Sequence, residues 1–113
     1  MRAGLLVVLA VLLFGPAAAC AQGAPTVAAA SDLQAALPQV AEAFQRKTGR
    51  SVRLVFGSSG GFTQQIQNGA PYEVFLSADE GYVRTLQRAG RTDGAGALYA
   101  VGRIGIFTPR PGR

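Results

Sequence analysis

The chain has 113 residues, a formal charge of +5, one cysteine and no histidine. That length holds at most one modest domain, and the composition excludes Ser-His-Asp and Cys-His catalysis, imidazole metal ligation and an internal disulfide. A hydrophobic fraction of 49% with 15% charged residues marks a folded protein. The basic residues are mostly scattered arginines, with Arg46-Lys47 the only doublet and no stripe interleaved with aromatics. This suits a solvated basic surface with a general attraction for small anions, and it points away from nucleic acid.

Arg2, the ten apolar residues Leu5 to Phe14, the breaker Gly15-Pro16 and the small residues Ala17-Ala18-Ala19-Cys20-Ala21 form a secretory signal pattern. The apolar core is too short to span a bilayer as a stable helix. A cut after Ala21 starts the mature chain at Gln22; a cut after Ala19 leaves Cys20 first, as in a bacterial lipoprotein. Residues 1–21 are read as the signal peptide and 22–113 as the folded part.

From Pro25 onward, strand-like and helix-like segments alternate. Thr26 to Ala30 is a short apolar run suited to a buried strand. Leu33, Leu37, Val40, Ala41 and Phe44 recur at helical spacing, and Gly49 closes that helix after Arg46-Lys47. Pro38 predicts either a kink or a regular helix that begins near Leu37. Ser51 to Phe56 reads as a second strand and Phe62 to Asn68 as a second helix, stopped by Gly69-Ala70-Pro71. Tyr72 to Leu76 reads as a third strand. A third helix follows, capped by Ser77 or Asp79, with Tyr82, Val83 and Leu86 inward and Gly90 at its end. Leu98 to Phe107 reads as a fourth extended stretch. The order β-α-β-α-β-α-β predicts an α/β fold, a parallel sheet with helices on both faces.

In such sheets ligands bind off the carboxyl ends of the strands. Ser31 and the pair Ser58-Ser59 both fall there, each where a strand gives way to a helix. Open N–H groups and the helix dipole favour an anion at that junction. Ser31 and Ser59 are therefore candidate anion donors, with Ser31 as a plain helix cap and Ser59 as a plain turn residue the competing readings. Gly57, Gly60 and Gly61 clear side chains from around the second serine. No Lys-Ser or Lys-Thr follows, so the loop is not a nucleotide P-loop. Asp79-Glu80 reads as first-turn complement to a helix dipole rather than as an acid–base pair, and Tyr72 and Tyr99 as packing residues. A serine hydrolase using Ser59 would lack both histidine and a G-x-S-x-G elbow, and Lys47, the only lysine, falls at the far end of a helix.

The segments Ala28-Ala29-Ala30-Ser31 and Phe56-Gly57-Ser58-Ser59-Gly60, and the run Gln64 to Asp79 with its Gly69-Ala70-Pro71 and Phe75-Leu76-Ser77-Ala78-Asp79, resemble the periplasmic molybdate-binding proteins of bacterial ABC importers. The resemblance covers about residues 26–109. It implies the first lobe of a two-lobed (type II) periplasmic binding protein, with the C-terminal half, and its further ligands including a tyrosine, lying outside these residues. It implies that Ser31 and Ser59 donate to the oxygens of molybdate or tungstate, aided by the amides of Asp32 and Gly60. The metal is then held only as its oxyanion, with no direct metal ligand and no cofactor. It implies no ligand role for Ser58 or Asp79. It also implies a monomeric, non-enzymatic periplasmic receptor partnered by a membrane permease. Receptors for sulfate, phosphate or an organic anion are the alternatives.

Overall fold

The computed structural model describes residues 23–108, so the expected signal segment and Cys20 lie outside the described residues. Strand β1 (Thr26–Ala30) leads into a single 3-10 turn (Ser31–Leu33) and helix α1 (Leu37–Thr48). Strand β2 (Arg53–Gly57), helix α2 (Ser59–Gln67), strand β3 (Val74–Leu76) and helix α3 (Glu80–Arg88) follow. The strands are parallel in the order β2-β1-β3. The chain steps one way from β1 to β2, then back across β1 to β3. With right-handed crossovers, that reversal puts α1 and α2 on opposite faces of the sheet.

The central strand explains the alanine run. Val27, Ala28, Ala29 and Ala30 are all buried, because β1 is flanked by a strand on each side and covered on both faces. Register places Ala28 beside Val55 and Phe75, and these share a face with Phe62 of α2. Phe62 meets Phe75 edge-on at 6.3 Å and Tyr72 at 5.3 Å, a geometry aromatic pairs favour. On the opposite face, Leu37, Val40, Ala41 and Phe44 of α1 line an apolar groove of about 210 Å³ together with Val27 and Leu54.

Helix α1 begins at Leu37, so Leu33 belongs to the separate 3-10 turn and the apolar face starts one turn later than its spacing suggests. Pro38 sits in the first turn, where its missing N–H costs no intrahelical bond. Gly49 closes the helix in the left-handed region at φ 71°, and its N–H donates to the Gln45 carbonyl.

Four expectations are corrected. Helix α2 begins at Ser59 instead of Phe62, because Ser58 caps it: Ser58 Oγ accepts from the Gly61 N–H at 3.1 Å. Strand β3 begins at Val74 instead of Tyr72, since the Tyr72 ring turns onto Phe62 and its hydroxyl donates to Gln65 Oε1 at 2.7 Å. Tyr82 does not point inward. It is 40% exposed, and Leu86, 1% exposed, carries the buried contact of α3. Leu98 to Phe107 forms no strand among the described residues; Ile104 and Ile106 are almost fully exposed there.

Asp79, and not Ser77, caps α3, its Oδ1 accepting from the Gly81 N–H. Asp79→Ala is expected to cost about 1 kcal/mol. That loss should read out as a lowered melting temperature in the full-length protein with unchanged anion affinity.

Candidate anion site

The register builds the site. Ala30 pairs with Gly57 and Ala29 with Leu76, so the residues just beyond the strands, Ser31, Ser58 and Ala78, stand in one row at the carboxyl edge. Neighbouring strands are about 4.8 Å apart, so this row is narrow enough for one small anion to reach more than one loop.

Ser31 is exposed. Its hydroxyl makes no capping bond and no other hydrogen bond among the described residues, so it is not the plain helix cap of the competing reading. It starts a turn of three residues rather than a long helix, so it offers its hydroxyl and local N–H groups with little help from a helix dipole. Asp32 is exposed and lies in the same turn, where its N–H has no intrahelical acceptor.

Ser59 differs. It is 8% exposed and stands at the first position of the nine-residue α2. The Ala78 N–H donates to Ser59 Oγ at 3.0 Å, joining β2 to β3 across the end of β1. That bond uses an oxygen lone pair and leaves the hydroxyl proton free to donate. Gly61 N–H is taken by Ser58 Oγ, and Phe62 N–H by the Ser58 carbonyl. The N–H groups of Ser59 and Gly60 remain open at the positive end of the helix. Ser58 Oγ differs in its partner: it accepts from within its own helix, as the cap of α2, and is exposed.

The loop glycines have structural reasons of their own. A Cβ at Gly57 would stand 3.0 Å from the Phe62 ring, one at Gly61 would stand 2.8 Å from Ser58 Oγ, and one at Gly60 would stand 3.2 Å from the Tyr82 hydroxyl oxygen. Close packing of the chain on itself accounts for all three, so they are not by themselves a sign of ligand approach.

Sequence reasoning missed three contributors to this edge. Ala78 holds Ser59 through its backbone. Ser77, 8% exposed, accepts from the Asp79 N–H and donates to the Asp79 carbonyl, which fixes the turn. Tyr99, read as a packing residue, donates its hydroxyl to the Ser77 carbonyl at 2.8 Å. Partial burial, and secondarily the Asp32 carboxylate, hold the Tyr99 hydroxyl above the usual tyrosine value. Whatever stability this shift contributes is fully present below about pH 10 and is lost as the pH rises through the raised value.

Other candidates carry no chemistry. Asp79 is a helix cap, and Glu80 pairs with Arg84 at 2.7 Å on the surface. Lys47 lies in the last turn of the twelve-residue α1, on the order of 15 Å along the helix from its start, so it cannot act as a base for Ser59. Among the described residues no cluster of His, Cys, Asp and Glu is placed to hold a metal ion, and no helix is long and apolar enough to cross a membrane. A larger cavity, about 810 Å³, lies at the opposite edge of the sheet between Pro25, Arg50, Ser51 and Glu73. It is remote from both serines.

A parallel sheet whose uncommitted donors gather at its carboxyl edge has the build of a solute-binding lobe. The chain belongs to the family described as bacterial extracellular solute-binding proteins, which it matches over residues 25–112; it is thus a member of a binding-protein family and not of an enzyme family. Particular relatives are named "Molybdate-binding protein ModA". The one from Azotobacter vinelandii is 42% identical over 100 residues, covering 87% of this chain and 40% of that protein. The one from Rhodobacter capsulatus is 36% identical over 103 residues, covering 90% and 41%. Among solved structures, the Azotobacter vinelandii periplasmic molybdate-binding protein superposes with a TM-score of 0.57 at 42% identity, over 58% of this chain and 29% of that one. The substrate-binding domain of a putative molybdenum ABC transporter from Clostridium difficile gives 0.56 at 27% identity, over 57% and 29%. The chain therefore spans about 40% of the length of the curated relatives it matches.

Proposed function

We propose that this chain is the first lobe of a periplasmic receptor that binds molybdate, and tungstate with it, for delivery to the membrane permease of an ABC importer. One observation carries the reading. Two serine hydroxyls, Ser31 with no partner and Ser59 with its proton uncommitted among the described residues, stand at adjacent strand ends beside the open amides of Asp32 and Gly60. The names of the relatives supply the choice of anion.

Neutral donors suffice for this task. Hydrogen bonds from hydroxyls and amides to a charged oxygen are short and roughly twice as strong as neutral ones, and a water-poor cleft strengthens them further. The second lobe closes that cleft. Discrimination among tetrahedral anions then rests on cavity size and on donor count.

Calorimetric titration of the full-length protein with sodium molybdate, tungstate, sulfate and phosphate tests this. Saturable binding of molybdate and tungstate, with sulfate and phosphate failing to compete, is the expected result. Tighter binding of sulfate or phosphate would reassign the receptor to that anion. The Arg50→Gln variant, altered in the cavity at the opposite edge, is expected to bind molybdate within about twofold of the parent, as for a surface charge remote from the ligand.

A further inference from the structure

The bonds Tyr99 Oη to the Ser77 carbonyl, at 2.8 Å, and Ala78 N–H to Ser59 Oγ, at 3.0 Å, share one peptide unit. The carbonyl of Ser77 and the N–H of Ala78 are the two poles of the peptide that joins them. It is therefore gripped at both ends, by a tyrosine 22 residues onward and by a serine 19 residues back. We infer that Tyr99 is a positioning residue for the anion: through the Ser77–Ala78 peptide it orients and polarises the Ser59 hydroxyl without touching the ligand itself.

The direction of each bond supports this. Tyr99 donates to the carbonyl, the N–H of that peptide donates to Ser59 Oγ, and Ser59 is left with its proton to give. Donors aligned head to tail polarise one another, so each link strengthens the next. With one of its two lone pairs occupied by Ala78, the Ser59 hydroxyl is held in place by that bond and keeps its proton to donate elsewhere. Ser77 stiffens the same turn by bonding both polar groups of the Asp79 backbone. Ser59 and Ser77 are each 8% exposed, so both bonds are part-buried although Tyr99 itself is half exposed.

Tyr99 also lies beyond α3, in the segment that runs on from Ala97 without regular structure. Its hydroxyl is the hydrogen bond that ties this segment to the carboxyl edge. The position of the segment and the readiness of Ser59 are thus coupled through one peptide. The raised titration of Tyr99, from burial first and the Asp32 charge second, fits a hydroxyl that stays protonated as a donor.

This inference rests on the reading of Ser59 as an anion donor, and the test separates the two. Molybdate affinity is measured calorimetrically for the full-length protein and for Tyr99→Phe, Ser59→Ala and the double variant. The Ala78 amide proton is followed by NMR in the ligand-free parent and in Tyr99→Phe. Tyr99→Phe keeps the ring and is expected to weaken binding about fivefold, the scale of one neutral hydrogen bond. In the Ser59→Ala background it is expected to have no further effect, and the Ala78 amide resonance is expected to move upfield in Tyr99→Phe alone. Parent-like affinity of Tyr99→Phe beside a weakened Ser59→Ala overturns the relay and leaves the site standing. Equal losses from Tyr99→Phe in both backgrounds, or an unmoved Ala78 amide, also overturn it. Parent-like affinity of Ser59→Ala overturns the site reading and the relay with it.

Discussion

Ser59→Ala in the full-length protein is expected to weaken molybdate binding by about a hundredfold. The estimate follows from two losses. A hydrogen bond to a charged group contributes about 1.5–3 kcal/mol, and removing the hydroxyl deletes one aimed at the oxyanion. The Ala78 N–H, which donates to Ser59 Oγ at 3.0 Å, then also lacks its acceptor. That second effect acts on the fold as well as on the ligand, so a modest fall in melting temperature should accompany the affinity loss. Ser31→Ala is the informative contrast. Its hydroxyl is exposed and contacts no protein group among the described residues, so its removal is expected to weaken binding while leaving thermal stability unchanged. Calorimetric titration beside differential scanning calorimetry resolves the two patterns. Equal stability losses in both variants would contradict the different bonding assigned to the two serines.

Leu86→Ala carries the largest expected cost to stability, about 2–5 kcal/mol. Leu86 is 1% exposed and is the largest fully buried side chain among the described residues. It belongs to a helix otherwise rich in exposed polar residues, so α3 has little else to hold it against α2. Loosening α3 displaces its cap, Asp79, and with it the Ser77–Ala78 turn that supports Ser59. The variant should therefore lose both stability and molybdate affinity, the latter recovering at low temperature where the helix remains docked. Urea unfolding followed by circular dichroism gives the stability change directly. A change below about 1 kcal/mol would mean that the site collapses around the smaller residue and that α3 is held elsewhere.

The order of elements is legible in the sequence because each segment carries its own period. Leu37, Val40, Ala41 and Phe44 mark one helix face, and Val52 to Phe56 has β-branched and aromatic residues in a run. The burial of Ala28, Ala29 and Ala30 agrees with the reading of that run as an internal strand. Leu98 to Phe107 has strand-like residues too, yet a strand needs a neighbouring edge as well as suitable side chains. Among the described residues this segment has none, and its apolar side chains stand exposed. Tyr82 was misplaced for a related reason. Periodicity identifies a helix face, but Tyr82 sits at the first turn of α3, where the ring passes over Gly60 and stays at the surface.

The candidate site was legible only in part. Serines at strand–helix junctions are visible as local chemistry, and topology brings Ser31 and Ser59 to one edge. The capping role of Ser58, and with it the difference in bonding between Ser58 and Ser59, appears only when the bonds are seen. The Ala78 and Tyr99 contacts span 19 and 22 residues, and no local pattern encodes them. They depend on the register of β3 with β1, which sets Ala78 level with Ser31.

The account stands on the location of the anion. A crystal structure of the full-length protein with molybdate, with anomalous data collected at the molybdenum edge, tests it most directly. The expected result is one strong anomalous peak at the carboxyl edge of the sheet, with oxyanion oxygens about 2.7 Å from both Ser31 Oγ and Ser59 Oγ. Ser59 Oγ should still accept from Ala78 in that complex. A molybdenum peak in the cavity beside Arg50 and Ser51, with the two serine hydroxyls unoccupied, would contradict the account.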